Sequence, residues 1–228
     1  MSIVVESVRY IHSEGDVAVT VKLAQGKSNE SAVFVVRIKF FEEQGIGVGE
    51  IDDETLEALA EESGIHSAFK RGLHILQYTS LSKKALEYRL LEKGVSKYDA
   101  ERAVERLEFL RYLNERKSAM RAAQIASRKG WGYARIMREI RAKGFDDAAC
   151  RQVEMCLEHV SFERHAAELL QKRFGGVPED EKERQRAYRF LLNYGYSHAQ
   201  IKRAFAALAD DDIESLGREN IFRALSFD

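Results

Sequence analysis

The chain has 228 residues, of which 45% are hydrophobic and 32% are charged, and its 36 basic and 37 acidic side chains give a formal net charge of −1. This length accommodates one large domain or two modest ones, and the apolar content excludes a disordered chain. Glu6 and Arg9 fall within the first ten residues and no long apolar segment follows them, which excludes a secretory signal and a membrane span. The sequence therefore predicts a soluble, cytoplasmic protein.

Residues 1–50 are predicted to form a three-stranded antiparallel meander. β-branched and aromatic residues dominate three stretches, 3–11, 17–23 and 32–41. In the second stretch every odd-numbered residue is Val or Leu, which places these side chains on one buried face. The glycines at 45, 47 and 49 are reminiscent of a nucleotide loop, but Glu50 stands where the dinucleotide fingerprint requires a glycine, so a turn is expected.

Residues 51–80 are predicted to form two leader helices. Asp52 or Asp53 can cap an acidic helix at 54–62, and Ser63 with Gly64 is typical of a helix end. A second helix is expected at 65–78, where apolar residues recur with helical spacing.

One pattern occurs three times in the rest of the chain. Each copy has apolar residues eight and four positions before a glycine, an apolar residue directly after it, and then a serine or aspartate. The three glycines are Gly94, Gly144 and Gly195. Because glycine readily takes the left-handed conformation that ends a helix, and serine or aspartate caps the next one, each copy predicts a helical hairpin. Ser197 with Gln200 predicts a capping box.

Additional helical stretches place three helices in each repeat. They are expected at 114–129, 161–174 and 213–226. The predicted fold class is mainly α, with tandem three-helix repeats in an elongated array and a small N-terminal antiparallel β-sheet. The predicted boundaries are 81–130 for repeat 1, 131–176 for repeat 2 and 177–228 for repeat 3.

The near-zero net charge conceals an uneven distribution along the chain. Residues 1–50, 51–80 and 174–228 have net charges of −2, −4 and −2. Residues 81–173 carry 21 basic against 14 acidic side chains, a net charge of +7. The middle of the predicted array is therefore basic, and its flanks are acidic.

The candidate binding residues lie in this basic middle. One stripe on the helix at 114–129 is formed by Lys117, Arg121, Gln124 and Arg128, with Met120, Ala123 and Ala126 turned inward. The full candidate set is Lys117, Arg121, Arg128, Lys129, Trp131, Arg135, Arg138 and Arg141. Basic residues beside aromatic ones suit a phosphate backbone or an acidic protein groove. The alternative is a solvated helix surface with Trp131 in the core.

The sequence contains no motif typical of a catalytic or metal-binding site. Cys150 and Cys156 cannot supply a zinc site by themselves and are interpreted as small core residues. The six histidines are scattered along the chain and are interpreted as surface or capping residues. Neither enzymatic activity nor a metal or other cofactor is expected.

The repeat pattern resembles the RecX family of bacterial recombination regulators. The resemblance covers about 68–208 and is carried by three segments, 86–96, 129–145 and 190–197. The middle segment begins with the family's Lys-Gly-x-Gly-x-x-x-Ile stretch at Lys129. The acidic Asp-Asp pair that the family often has after its first repeat is replaced by Asn114 and Glu115.

The resemblance implies a regulator that binds the RecA recombinase filament on DNA and modulates its activities, usually by inhibition. The implied partners are the RecA filament and single- or double-stranded DNA, with no membrane, and the protein is expected to be a monomer. Two alternatives stay open at this point. One is a DNA-binding helical module that acts without recombinase, and the other is an adaptor that binds only protein.

Overall fold

The computed structural model describes residues 2–11, 15–25, 28–210, 212–216 and 224–225. The chain divides into two compact units, Met1–Tyr78 with Leu86–Tyr112 (unit 1) and Thr79–Ala85 with Leu113–Asp228 (unit 2). The strands are β1 (Ser2–Ile11), β2 (Asp16–Gln25), β3 (Ser28–Arg37) and β4 (Gly49–Ile51). The helices are α1 (Ile38–Glu43), α2 (Asp53–Tyr78), α3 (Lys83–Glu92), α4 (Lys97–Phe109), α5 (Glu115–Arg128), α6 (Tyr133–Ala142), α7 (Asp147–Leu157), α8 (Phe162–Phe174), α9 (Glu181–Tyr194) and α10 (His198–Ala209), followed by a 3-10 helix (Ile213–Leu216).

The N-terminal sheet of unit 1 is antiparallel, with strand order β3-β2-β1-β4. The predicted meander is confirmed for its first three strands, and Val17, Val19 and Val21 are fully buried on one face of β2. The fourth strand was missed because its three residues carry no alternating pattern; it pairs with β1, where Ile51 lies opposite Ile3. The third strand was predicted too long, since 38–41 belongs to α1.

Helix α2 is continuous, so the prediction of two leader helices was wrong. Ser63 and Gly64 lie within α2, and each has a tertiary role. The Ser63 hydroxyl accepts a hydrogen bond from Val35 N at 3.0 Å. A Cβ atom on Gly64 would lie 2.8 Å from Oδ1 of Asp99, so the glycine leaves room for this carboxylate of α4. Gly64 therefore has a packing role and does not end the helix.

The interface between the sheet and α2 contains buried charged groups. Asp16 and His66 are 2% and 5% exposed, and His66 Nε2 lies 2.9 Å from Asp16 Oδ1. Lys70 forms an ion pair with the other oxygen of the same carboxylate. Nearby, Glu62 binds Arg37 at 2.6 Å and Arg106 at 3.2 Å. His66 is therefore a core residue, which corrects its interpretation as a surface histidine; His12 lies outside the described residues.

The repeated turns have the predicted geometry. Gly94, Gly144 and Gly195 have φ angles of +79°, +73° and +91°. The capping residue that follows each turn accepts a backbone hydrogen bond at the start of the next helix, through Ser96, Asp146 and Ser197. The Ser197–Gln200 capping box is also present. These turns were predictable because the glycine that ends one helix and the residue that caps the next lie close together in the sequence.

Within each unit the helices pack in a regular way, with α2 on α4, α5 on α7 and α8 on α10. This packing favours groups of three helices that begin at α2, α5 and α8, whereas the boundaries proposed from sequence begin one helix later. The predicted inward residues Met120, Ala123 and Ala126 are buried in the core of unit 2. The mainly α fold class with a small N-terminal antiparallel sheet is confirmed. Of the helix expected at 213–226, residues 213–216 form the 3-10 helix, and 217–223 and 226 lie outside the described residues.

Candidate nucleic-acid interface

A groove of about 590 Å³ in unit 2 collects four basic side chains. Arg128 and Lys129 come from the end of α5, and Lys172 and Arg173 come from the last turn of α8. Basic residues are favourable at these positions because the carbonyl end of a helix carries partial negative charge. We call this site, with its lining residues Phe190 and Tyr194, the basic groove.

The aromatic residues of α9 form one wall of the basic groove. The rings of Phe190 and Tyr194 lie 4.2 Å apart, and Phe174 packs edge-on against Phe190 at 5.6 Å. Glu168 also lines the groove, and Arg164 donates a hydrogen bond to it at 3.1 Å. Cations beside aromatic rings are the combination that binds a phosphate backbone and stacks unpaired bases.

A buried hydrogen-bond network stabilises the floor of the basic groove. The Tyr196 hydroxyl donates to the carbonyl of Gly130 at 2.9 Å and lies 3.0 Å from Nδ1 of His165. Since the tyrosine proton is committed to the carbonyl, His165 Nδ1 is assigned as the donor to the tyrosine oxygen. Burial lowers the pKa of His165 and raises the pKa of Tyr196 far above its ordinary value, so both side chains are neutral near pH 7.

Trp131 lies beside the basic groove, between two cations. Lys129 Nζ is 4.6 Å and Arg135 Cζ is 4.2 Å from the centre of a Trp131 ring. Arg135 also lies 5.4 Å from the ring of Tyr194 and donates to the carbonyl of Asn193 at 3.0 Å. We call Trp131, Arg135 and Tyr194 the aromatic clasp. It joins the α5–α6 turn to the end of α9, so Arg135 has a structural role that the sequence did not indicate.

Replacing Arg135 with methionine is expected to destabilise unit 2 by about 1–2 kcal/mol, because two cation–π contacts are lost. The single tryptophan of the chain reports the change directly, so its emission should shift as well. Guanidinium denaturation followed by Trp131 fluorescence measures both effects. Arg138→Met is the matched control, since Arg138 is exposed on the same helix and contacts no ring among the described residues. Equal shifts in the two variants would contradict the clasp.

The remaining candidate residues are more dispersed. Arg138 lines a neighbouring cavity of about 380 Å³ together with Arg135. Arg141 is exposed and lies 3.9 Å from Glu154, which also accepts a hydrogen bond from Tyr133 at 2.5 Å. Lys117 and Arg121 are exposed on α5 but do not line the basic groove. The structure thus brings Arg128, Lys129, Trp131 and Arg135 together, and it separates the other four from the groove.

Two groove cations, Lys172 and Arg173, were missing from the candidate set. They lie in the basic segment 81–173, but more than forty residues after Arg128. Their position in the last turn of a helix, just before Gly175, could have indicated two basic side chains at a helix end. Only the packing of α8 against the α5–α6 turn shows that they meet Arg128; Leu169 approaches Gly130 so closely that an added Cβ would lie 3.2 Å away.

Two features bear on broader classes of function. None of the helices within the described ranges combines the length and apolar character needed to cross a bilayer. The cysteines differ, since Cys150 is buried and Cys156 is only partly buried against the core. Burial raises the pKa of the Cys150 thiol, which agrees with its interpretation as a small core residue.

Comparison with known proteins identifies relatives of this chain. The model of the third three-helix domain of RecX matches residues 163–205, which cover most of α8 to α10. The regulatory protein RecX of Bacillus subtilis is 30% identical over 196 residues, which are 78% of this chain and 72% of that relative. RecX of Chromobacterium violaceum is 36% identical over 93 residues, and the match spans 40% of this chain and 59% of the relative's length.

A solved structure also shares the fold. A crystal structure of regulatory protein RecX matches 89% of this chain and 99% of its own, with a TM-score of 0.65 and 15% sequence identity. That identity supports the fold alone, whereas the Bacillus subtilis match supports common ancestry over most of both chains. On this basis, the chain belongs to the RecX family of regulatory proteins.

Proposed function

We propose that this protein binds the RecA recombinase filament on DNA and modulates the activities of the filament, usually by inhibiting them. The observation that carries the proposal is the basic groove, in which four cations from α5 and α8 meet an aromatic wall from α9. The regulatory name of its relatives supports the same role. In this proposal the groove contacts phosphates of the DNA within the filament.

The charge balance of the basic groove supports phosphate as its ligand. Four Lys or Arg side chains line it with Glu168 as the sole carboxylate among the lining residues the structure describes. Each lysine or arginine that neutralises a phosphate releases a counterion, so the affinity depends on salt. If all four cations engage a single strand, log affinity should fall with log salt at a slope of about −2.8.

The test reverses two groove cations in the double variant Arg128→Glu, Lys172→Glu. Both side chains are exposed, so the fold should be retained. We expect at least a tenfold higher protein concentration to be needed to inhibit ATP hydrolysis by RecA on single-stranded DNA, since two attractive contacts become repulsive. The slope of log DNA affinity against log salt should also fall by about 1.4.

Two matched double variants test whether the loss of inhibition depends on cations of the groove or on total charge. Arg151→Glu, Lys202→Glu reverses two exposed cations of α7 and α10 that do not line the groove. Lys117→Glu, Arg121→Glu reverses the part of the predicted stripe that lies outside it. Inhibition that is equally weak in all three variants would show that only total charge matters, and inhibition unchanged by the groove variant would reject the proposal.

A co-sedimentation experiment separates the two alternatives. A DNA-binding module that acts without recombinase would bind bare DNA as tightly as it binds the filament. An adaptor that binds only protein would show no DNA affinity even at low salt, where phosphate contacts are strongest. Co-sedimentation with filaments formed on DNA, with recombinase alone and with DNA alone, at two salt concentrations, distinguishes these outcomes.

A further inference from the structure

We propose that unit 1 contains a second anion site, between α2 and the end of α3, that binds the phosphate of a nucleotide. A cavity of about 520 Å³ is lined there by Lys70, Arg71, His74 and Ile75 of α2 and by Lys93 directly after α3. We call it the α2–α3 pocket. It lies in the unit that does not contain the basic groove, and it does not depend on recombinase binding.

The composition of the α2–α3 pocket is unusual for its segment. Residues 51–80 have a net charge of −4 and contain only two basic residues, Lys70 and Arg71. Both line this pocket, and the described lining residues include no carboxylate. Of the three cations, Lys70 already pairs with Asp16. Arg71 and Lys93 are exposed and have no carboxylate among the described lining residues, so both attract an anion that enters the cavity. The arrangement therefore favours a ligand with more than one negative charge.

Two of these cations are oriented by the protein itself. Lys70 forms an ion pair with the buried carboxylate of Asp16, which fixes the direction of its side chain. Arg71 Nη1 donates to the carbonyl of Lys93 at 3.2 Å, which holds its guanidinium at the end of α3. Arginine has five donor hydrogens, so this contact leaves others for a phosphate, which it can bind in a bidentate manner. Such orientation lowers the entropic cost of binding.

The size and floor of the pocket indicate a nucleotide in preference to a bare ion. A volume of about 520 Å³ lies within the range of small-molecule sites and is far larger than one phosphate needs. Ile75 provides an apolar floor and is 8% exposed. The ring of His74 packs edge-on against Tyr78 at 5.3 Å, which leaves an aromatic surface beside the cations. A base or sugar can occupy this part while the phosphate binds the cations.

The test follows the imidazole signals of His74 by NMR in the full chain, assigned with His74→Asn. The probes are thymidine diphosphate, thymidine and a short glutamate-rich peptide, at constant ionic strength. We expect thymidine diphosphate to shift the His74 signals saturably and the other two to have no effect. Lys93→Glu should weaken this binding by about tenfold or more, because an attractive charge becomes repulsive.

Arg102→Glu is the matched control, since Arg102 is exposed on α4 of the same unit and pairs with Glu105 at 3.2 Å. The proposal is overturned if thymidine diphosphate leaves His74 unchanged, if thymidine or the peptide binds equally well, or if the control variant behaves like Lys93→Glu. A free nucleotide and a nucleotide within a strand share the same chemistry. A short oligothymidylate, added to protein whose basic groove carries the two reversals, separates these sources.

The two proposals fail independently. RecA is absent from the NMR titration, and the strand experiment uses protein with a reversed groove. Loss of nucleotide binding in Lys93→Glu therefore says nothing about the groove. Conversely, unchanged inhibition by the groove variant would reject the proposed function and leave the α2–α3 pocket standing.

Discussion

Gly195→Ala is expected to destabilise unit 2 by about 3–4 kcal/mol, because an added methyl group would collide with neighbouring backbone. Its Cβ atom would lie 2.6 Å from Arg135 N and 2.5 Å from Arg135 Cβ. The approach is reciprocal, since a Cβ atom on Gly132 would lie 2.6 Å from the carbonyl oxygen of Gly195. Gly132 N also donates to Tyr194 O at 2.8 Å, so the two turns interlock.

The matched control is Gly144→Ala, at the equivalent position of the preceding repeat. Gly144 also has a left-handed φ of +73°, but its added Cβ would meet neighbours no closer than 3.6 Å. Only the conformational cost of about 1 kcal/mol applies there. Guanidinium denaturation monitored by Trp131 fluorescence reports on unit 2 for both variants. Similar losses in the two variants would mean that the turns do not interlock as described.

Asp16→Asn is expected to destabilise unit 1 by about 3 kcal/mol, because it removes the countercharge of a buried pair. Asp16 contacts His66 at 2.9 Å and forms the ion pair with Lys70. Burial alone would raise the pKa of the Asp16 carboxyl, but hydrogen bonds from Lys70 and His66 outweigh it and leave the pKa below its ordinary value of 3.8. The ionised form is therefore the one that the fold favours.

The sign of the pH effect follows from this lowered pKa. The carboxylate contributes its full stability above pH 3.8, and the contribution is lost as the pH falls through the lower pKa of the folded state. Asp16→Asn should lack this acid-dependent part. Glu6→Gln is the control, because Glu6 forms an exposed pair with Lys22 at 3.5 Å that contributes about 0.5 kcal/mol or less. The measurement is denaturation followed by circular dichroism between pH 3 and 7. If Asp16→Asn lost as much stability toward low pH as the unchanged protein, the lowered pKa of Asp16 would be contradicted.

Features encoded by adjacent residues were predictable from the sequence. The turn at Gly195 needs one residue that tolerates positive φ and one that caps the next helix, and both are within three positions of it. The alternation of Val and Leu in β2 likewise fixes its buried face. Such signals report the conformation of a few residues, which depends on their own side chains.

Features that depend on distant partners were not predictable. Gly64 indicated a helix end, but it lies within α2, where its lack of a side chain leaves room for the Asp99 carboxylate of α4. His66 was expected at the surface, yet its partner Asp16 lies fifty residues earlier. The basic residues of the predicted stripe on α5 are exposed, but only Arg128 lines the basic groove, and its neighbours there, Lys172 and Arg173, could be found only from the packing of α8. A single sequence identifies the basic residues, but it does not show which of them lie close together in the fold.

The hydrogen-bond network beneath the basic groove determines whether binding there responds to pH or to ionic strength. Because burial lowers the pKa of His165 below its ordinary value of 6.5, the attraction of the groove for phosphate rests on lysine and arginine side chains, whose charge is constant between pH 7 and 8. The groove therefore acts as a fixed charge rather than a titrating one. Binding through it should respond to ionic strength and to competing polyanions, while a change of pH within this range leaves it unaltered.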